Sequence, residues 1–212
     1  VGGNEGAKAV YVCDFDGKNL NRVTETRDIL VSPAWSPEGK YIAYTAYSDD
    51  QSNIYVCEPE SGRENLFVAY EGINLTPSWM PDRPGMAATL SFEGDEEIYL
   101  LTEEGKIDKR LTKSWGVDVS PTFSPNGRRM AFVSSRAGSP QIYVMDLNSG
   151  SVSRLTYEGE YNTQPEWSPV SDKIAYSGMR DGDIDIYVID AETGENTRLT
   201  SKTGSDESPS WS

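Results

Sequence analysis

Apolar positions along the chain fall into short runs separated by Gly, Pro, Asn and Ser, and the breaks recur on a fixed step. The unit that begins at Ser120 shows the pattern best. Pro121–Ser124 predicts a first strand, a, and Pro125-Asn126-Gly127-Arg128 a hairpin turn. Arg129–Ser135 predicts strand b, Ala137-Gly138-Ser139-Pro140 a second turn, and Gln141–Asp146 strand c. Asn148-Ser149-Gly150 then turns the chain into strand d at Ser153–Thr156. No stretch carries helical spacing. Ile142-Tyr143-Val144-Met145 and Ile186-Tyr187-Val188-Ile189 are continuous apolar runs, which suits strands covered on both faces.

The step is 44 residues. Prolines stand at 33, 77, 121, 165 and 209, within Ser32-Pro33-Ala34-Trp35, Thr76-Pro77-Ser78-Trp79, Ser120-Pro121-Thr122-Phe123, Gln164-Pro165-Glu166-Trp167 and Ser208-Pro209-Ser210-Trp211. Tyr11, Tyr55, Tyr99, Tyr143 and Tyr187 keep the same step. So does an Arg-Leu-Thr-like triplet at 22–24, 110–112, 154–156 and 198–200, which has drifted to Leu66-Phe67-Val68 in one copy. A repeat of this length with four strands predicts an all-β fold, a β-propeller of four-stranded antiparallel blades. The rival, a β-solenoid, has shorter repeats. The blade units are 1–31 (partial), 32–75, 76–119, 120–163, 164–207 and 208–212 (partial), in a single domain over 1–212. That is about five blades' worth. The chain opens at the end of a strand b and stops inside a strand a, so it reads as a propeller segment. A five-membered ring closed by pairing 208–212 with 10–24 is the alternative.

Composition narrows the chemistry. The 212 residues hold 19 Lys+Arg, 34 Asp+Glu and no His, a formal net charge of −15. Without a basic run, nucleic acid is excluded as a partner. No apolar run reaches the roughly 20 residues of a membrane helix, so no membrane insertion is expected. The lack of His removes every His-based nucleophile activation and every His-ligated metal. No G-x-S-x-G occurs, and no enzymatic activity is expected. No cofactor is expected either, although carboxylates along a channel leave room for a cation such as Ca²⁺.

The pattern S-P-x-W-S-P-x-G-x-x-I-A-Y-x-S … I-Y-V-x-D … R-L-T, carried by Ser32–Tyr44, Ser120–Asp146 and Gln164–Thr200, resembles the TolB-type propeller repeat family, whose repeats are WD40-like (PD40). The stretch Val12-Cys13-Asp14-Phe15-Asp16-Gly17-Lys18-Asn19 leading to Leu30–Pro37 is similar to the first propeller blade of that family. The resemblance implies a six-bladed parent ring and a periplasmic, non-enzymatic scaffold of the Tol–Pal envelope system, which supports outer-membrane integrity and cell division. It implies the peptidoglycan-associated lipoprotein Pal as partner and bacteriocin peptides as further ligands. A TolA contact belongs to a separate N-terminal domain and is not expected of these residues. Two readings remain beside it: a propeller module of a larger peptidase or glycan-processing protein, and an excised or engineered propeller fragment.

In a propeller the d-to-a loops gather at one mouth of the central channel. Here they are 25–31, 69–75, 113–119, 157–163 and 201–207. Three residues before each repeat proline stand Leu30, Asn74, Asp118, Asn162 and Asp206, four of which suit an Asx turn. The family's Pal surface maps onto Ile73, Asn74, Thr76, Asp118, Val119 and Ser120. Asn162, Thr163, Asp206 and Glu207 extend that partner-binding set around the mouth. Asp181-Gly182-Asp183-Ile184-Asp185 copies the start of a calcium loop but lacks its helical context, and reads as a solvated hairpin turn. Asp95-Glu96-Glu97 reads as a solvated acidic loop. Cys13 and Cys57 occupy equivalent positions in adjacent blades, too far apart to bond, and read as two free, buried thiols.

Overall fold

A computed structural model describes residues 8–24, 29–48 and 51–211. The described residues form strands and turns without a helix. Two short strands come first, β1 (Tyr11–Val12) and β2 (Asn21–Arg22). Four sheets of four strands follow. Blade 1 is β3 (Leu30–Trp35), β4 (Ile42–Ser48), β5 (Gln51–Glu58) and β6 (Arg63–Val68). Blade 2 is β7 (Asn74–Trp79), β8 (Met86–Leu90), β9 (Glu97–Leu101) and β10 (Ile107–Arg110). Blade 3 is β11 (Asp118–Phe123), β12 (Arg129–Ser134), β13 (Gln141–Asp146) and β14 (Val152–Arg154). Blade 4 is β15 (Tyr161–Trp167), β16 (Lys173–Arg180), β17 (Asp183–Asp190) and β18 (Asn196–Arg198). Within each blade the strands pair antiparallel in chain order.

This is the expected propeller architecture, with four blades rather than about five. Residues 208–211 form no strand, and β1 pairs with β2 alone. The pairing of 208–212 with 10–24 that a five-membered ring needs is not made among the described residues. The physical reason is that, among the described residues, no second strand stands between 208–211 and β1. A first strand with no hairpin partner has no ladder to join.

Blades stack face to face, and the core lies between them. Met80, Ala87, Ile98 and Leu100 of blade 2 pack on Phe123, Met130, Phe132 and Tyr143 of blade 3. Ala131, Val133 and Ile142 of blade 3 pack on Trp167, Ile174, Tyr176 and Tyr187 of blade 4. Blades 1 and 2 join through Ala43, Ile54, Met86, Ala88 and Leu90. The middle strands β8 and β9 are buried along their whole length, as their continuous apolar runs require. The first strands of neighbouring blades touch one another, which places them innermost, around the channel.

Each first strand carries a β-bulge at its Ser/Thr-Pro element. Val31 pairs with Thr45 and Ala34 with Ala43, so the inner strand spends one residue more than its partner. The same shift falls between Leu75 and Ser78, Val119 and Thr122, and Thr163 and Glu166. The residue before each proline is left-handed: Ser32 (φ 53°), Thr76 (49°), Ser120 (56°), Gln164 (52°) and Ser208 (59°). The bulge begins the strand earlier than the sequence predicts, at Asp118 rather than Pro121.

Candidate functional site

The mouth loops are fastened from below. Main-chain N–H groups of Asn74, Asp118, Asn162 and Asp206 all donate back into the preceding blade. Their acceptors are Ser52 Oγ (3.0 Å), Glu96 O (2.9 Å), Pro140 O (3.0 Å) and Ile184 O (2.8 Å). These acceptors are themselves 44 residues apart. The Asn74 side chain closes its loop, with Nδ2 donating to Ser52 O and Tyr70 O and Oδ1 accepting from Tyr70 N. Asp118 accepts from Ser114 Oγ and from Arg136 at 2.8 Å. Asn162 donates to Gln141 Oε1 and Glu158 O. Asn74, Asp118 and Asn162 are fully buried.

The other expected contact residues reach the surface. Ile73, Thr76, Val119, Ser120, Thr163 and Asp206 are half-buried, and Glu207 is exposed. Four of them, Val119, Ser120, Thr163 and Glu207, converge on one cleft of about 480 Å³ between blades 3 and 4. Val133, Tyr161, Gln164, Ser177, Met179 and Ile184 complete its lining. Ile73 and Thr76 stand at the start of blade 2 and do not join it, nor does Asp206. Gln164 is anchored there, its Oε1 accepting from Ser177 Oγ (2.8 Å) and Ser208 N (2.9 Å).

In the loop before β11, Trp115 is 94% exposed. Its backbone is held rigidly. Ser114 N donates to Glu97 Oε1, Val117 N donates to Ser135 Oγ, and a Cβ on Gly116 (φ 97°) would collide with that same Oγ. The next loop presents Tyr157 and Tyr161. Sequence reasoning passed over Trp115, yet it carried a signal. Trp35, Trp79, Trp167 and Trp211 obey the 44-residue register, and Trp115 is the one Trp outside it.

Three expectations are corrected. Glu97 is not solvated: it is 1% exposed and paired with Arg110 at 3.1 Å. Asp185, the last carboxylate of the calcium-like stretch, is also fully buried, paired with Arg198 at 2.5 Å and accepting from Thr200 Oγ1. Both occupy the repeat position of Gln141, where a deep polar side chain meets the Arg-Leu-Thr element. Cys57 is buried, but Cys13 is exposed, because the described residues place no second strand over β1. Burial pushes the Cys57 thiol up to about 11, with nearby Glu64 adding to it.

Among the described residues no group of three or more His, Cys, Asp or Glu is gathered to hold a metal ion. On inner strand β15, Glu166 keeps contact with water. The surrounding walls still strip enough hydration to push its carboxyl up to about 7.

Comparison with known proteins bears on what this mouth serves. The family described as "TolB beta propeller domain" matches residues 2–212. The Tol-Pal system protein TolB of Desulfosudis oleivorans is 53% identical over 43 residues, 20% of this chain and 10% of that protein. The crystal structure of TolB from Acinetobacter baumannii superposes with a TM-score of 0.85 at 33% identity, over 94% of this chain and 50% of that one. The chain therefore spans about half the length of that TolB. A puromycin-hydrolyzing peptidase of Mycobacterium tuberculosis shares the fold alone, with a TM-score of 0.67 at 18% identity over 88% of this chain and 31% of that one.

Proposed function

Because the chain belongs to the TolB β-propeller domain family, we propose that it is a non-enzymatic, protein-binding scaffold of the Tol–Pal envelope system that works in the periplasm. Its partner in this reading is the peptidoglycan-associated lipoprotein Pal, held on the mouth loops. The observation that carries the reading is the family match across every blade, on a chain whose loops between blades offer an exposed Trp and, between blades 3 and 4, a cleft. A large aromatic on a pre-ordered loop loses little entropy on docking, which is why such residues dominate binding energy at protein interfaces. The buried Asn74, Asp118 and Asn162 set the loop shape in this reading. Ile73, Thr76, Val119, Ser120, Thr163, Asp206 and Glu207 supply contact. A catalytic role finds no support in a chain without His.

Calorimetric titration of the chain with the soluble domain of Pal tests this. Saturable binding is expected, weakened roughly 30-fold or more by Trp115→Ala, the loss typical of a central aromatic anchor. A folded, monodisperse chain that releases and absorbs no heat with Pal, at two temperatures, overturns the reading.

A further inference from the structure

We propose that the cleft between blades 3 and 4 is a specificity pocket for an apolar side chain flanked by a basic residue on an extended segment of the protein partner. The proposal rests on the mouth being a protein-binding surface and adds the chemistry of what enters it.

Four observations carry it. Val119, Val133, Met179 and Ile184 give the cleft an apolar patch among Ser120, Thr163, Gln164, Ser177 and Glu207, and the volume of about 480 Å³ lies in the range of sites that enclose a ligand group. The lining holds one charged group, the carboxylate of exposed Glu207, and no basic one. The three flanking loops, at 113–119, 157–163 and 201–207, add Asp118, Glu158, Glu160 and Asp206, of which Asp118 is tied to Arg136 at 2.8 Å and Glu158 to Arg180 at 2.6 Å. On a chain of net charge −15, Lys113 and Lys202 are the basic residues in those three loops. A cation beside the apolar anchor therefore meets a complementary field.

Gln164 is the third feature in this wall. It stands where the other four repeats have Ser or Thr before proline, and it holds φ 52°. A long side chain kept in the left-handed region is a local cost that the bonds to Ser177 and Ser208 must offset. Those bonds occupy its Oε1 and leave its Nε2 donors for a carbonyl of an extended ligand backbone. The cleft thus joins an apolar patch, one amide donor and the Glu207 carboxylate.

Met179 supplies the test. It lines the cleft, whereas Met80, Met86, Met130 and Met145 are buried in the cores between blades. The chain labelled with ¹³C at the methionine methyls is titrated with three capped peptides. They are Gly-Lys-Leu-Lys-Gly, Gly-Glu-Leu-Glu-Gly and Gly-Lys-Gly-Lys-Gly. The first is expected to move the Met179 methyl saturably while the four core methyls stay still. Each of the others is expected to bind at least tenfold more weakly. Glu207→Gln should weaken the first peptide about fivefold and leave the core methyl spectrum unchanged. A still Met179 signal, or equal response to the acidic peptide, overturns the proposal. The soluble domain of Pal added to the same sample separates the two readings. If Pal shifts Met179 while no peptide does, the pocket chemistry fails and the Pal reading survives. If the basic peptide shifts it and Pal binds nowhere, the pocket stands and the Pal reading fails.

Discussion

Ser32, Thr76, Ser120 and Gln164 share one backbone state within the bulge of a first strand, and Ser208 keeps it before its own proline without a strand to bulge. The left-handed state costs an ordinary residue about 1–2 kcal/mol, and a β-branched side chain suffers most. Ser32 is exposed and makes this cost measurable without a packing change. Ser32→Val should lower unfolding free energy by about 1–2 kcal/mol in urea. Ser32→Gly should stay within about 0.5 kcal/mol, since relief of strain is offset by a freer unfolded chain. The thiols offer a second check. With Cys13 exposed and Cys57 buried, native protein should react with a disulfide reagent at one thiol only, and at both after denaturation. Two fast equivalents in the native state would contradict the burial of Cys57.

At the scale of the strand and the blade, the Arg-Leu-Thr triplet acquires a cause. Its Thr accepts the main-chain N–H of the residue fourteen earlier: Val10 to Thr24, Ile98 to Thr112, Ile142 to Thr156, Ile186 to Thr200. Its Arg bonds the carbonyl of that Thr in the last three blades, and in blades 2 and 4 it also neutralises the buried Glu97 or Asp185. In blade 1 the Arg is Leu66, and the carboxylate position holds Asn53. The charged pair is lost together. Removing one partner alone leaves a buried charge, at a cost of about 3–5 kcal/mol. Arg110→Leu should therefore destabilise by about that amount. Adding Glu97→Gln, which copies Gln141 of blade 3, should restore most of it, and a double-mutant cycle reads the coupling. Additive losses would show that the pair is not coupled.

Much of this was legible in the residues. The period, the strand order and the two-faced burial of strands b and c follow from spacing and apolar runs. The burial of Glu97 and Asp185 was not, because a carboxylate in a turn-like string reads as solvated until its Arg is placed thirteen residues on. The mouth loops were located by the repeat. Which of their residues face outward was not, since Asn and Asp look alike as surface groups and as buried loop staples. The cleft joins residues from three repeat units, and no local pattern announces it.

At the scale of the whole molecule, Glu166 on inner strand β15 titrates out of its usual range by desolvation although it is exposed. Its folded-state carboxyl is pushed up to about 7, above its ordinary value of 4.5. Between those values the folded chain binds the extra proton, so stability falls as pH rises through the window. Because the group still touches water, the effect is small, under about 1 kcal/mol or some 2–4 °C in Tm. Glu166→Gln should raise Tm at pH 8 by about that margin and leave it unchanged at pH 4. An equal change at both pH values would remove the assignment.

Among the described residues the inner-strand bonds between blades run one way, whereas the Arg129–Asp172 bond further out runs the other. Trp79 Nε1 donates to Ala34 O, Thr76 N to Thr45 Oγ1, Trp167 N to Thr122 Oγ1, Ser208 N to Ser177 Oγ and Trp211 Nε1 to Glu166 O. In every case the later residue donates and the earlier one accepts. A growing chain would meet its acceptors already in place, so each new blade can dock on the one made before it. At a synthesis rate of about 5–20 residues per second, a 44-residue unit leaves the ribosome every 2–9 s or so. That interval far exceeds the microseconds a hairpin needs to form. Each blade can therefore offer a finished face to the next, which suits the molecule to be assembled in chain order.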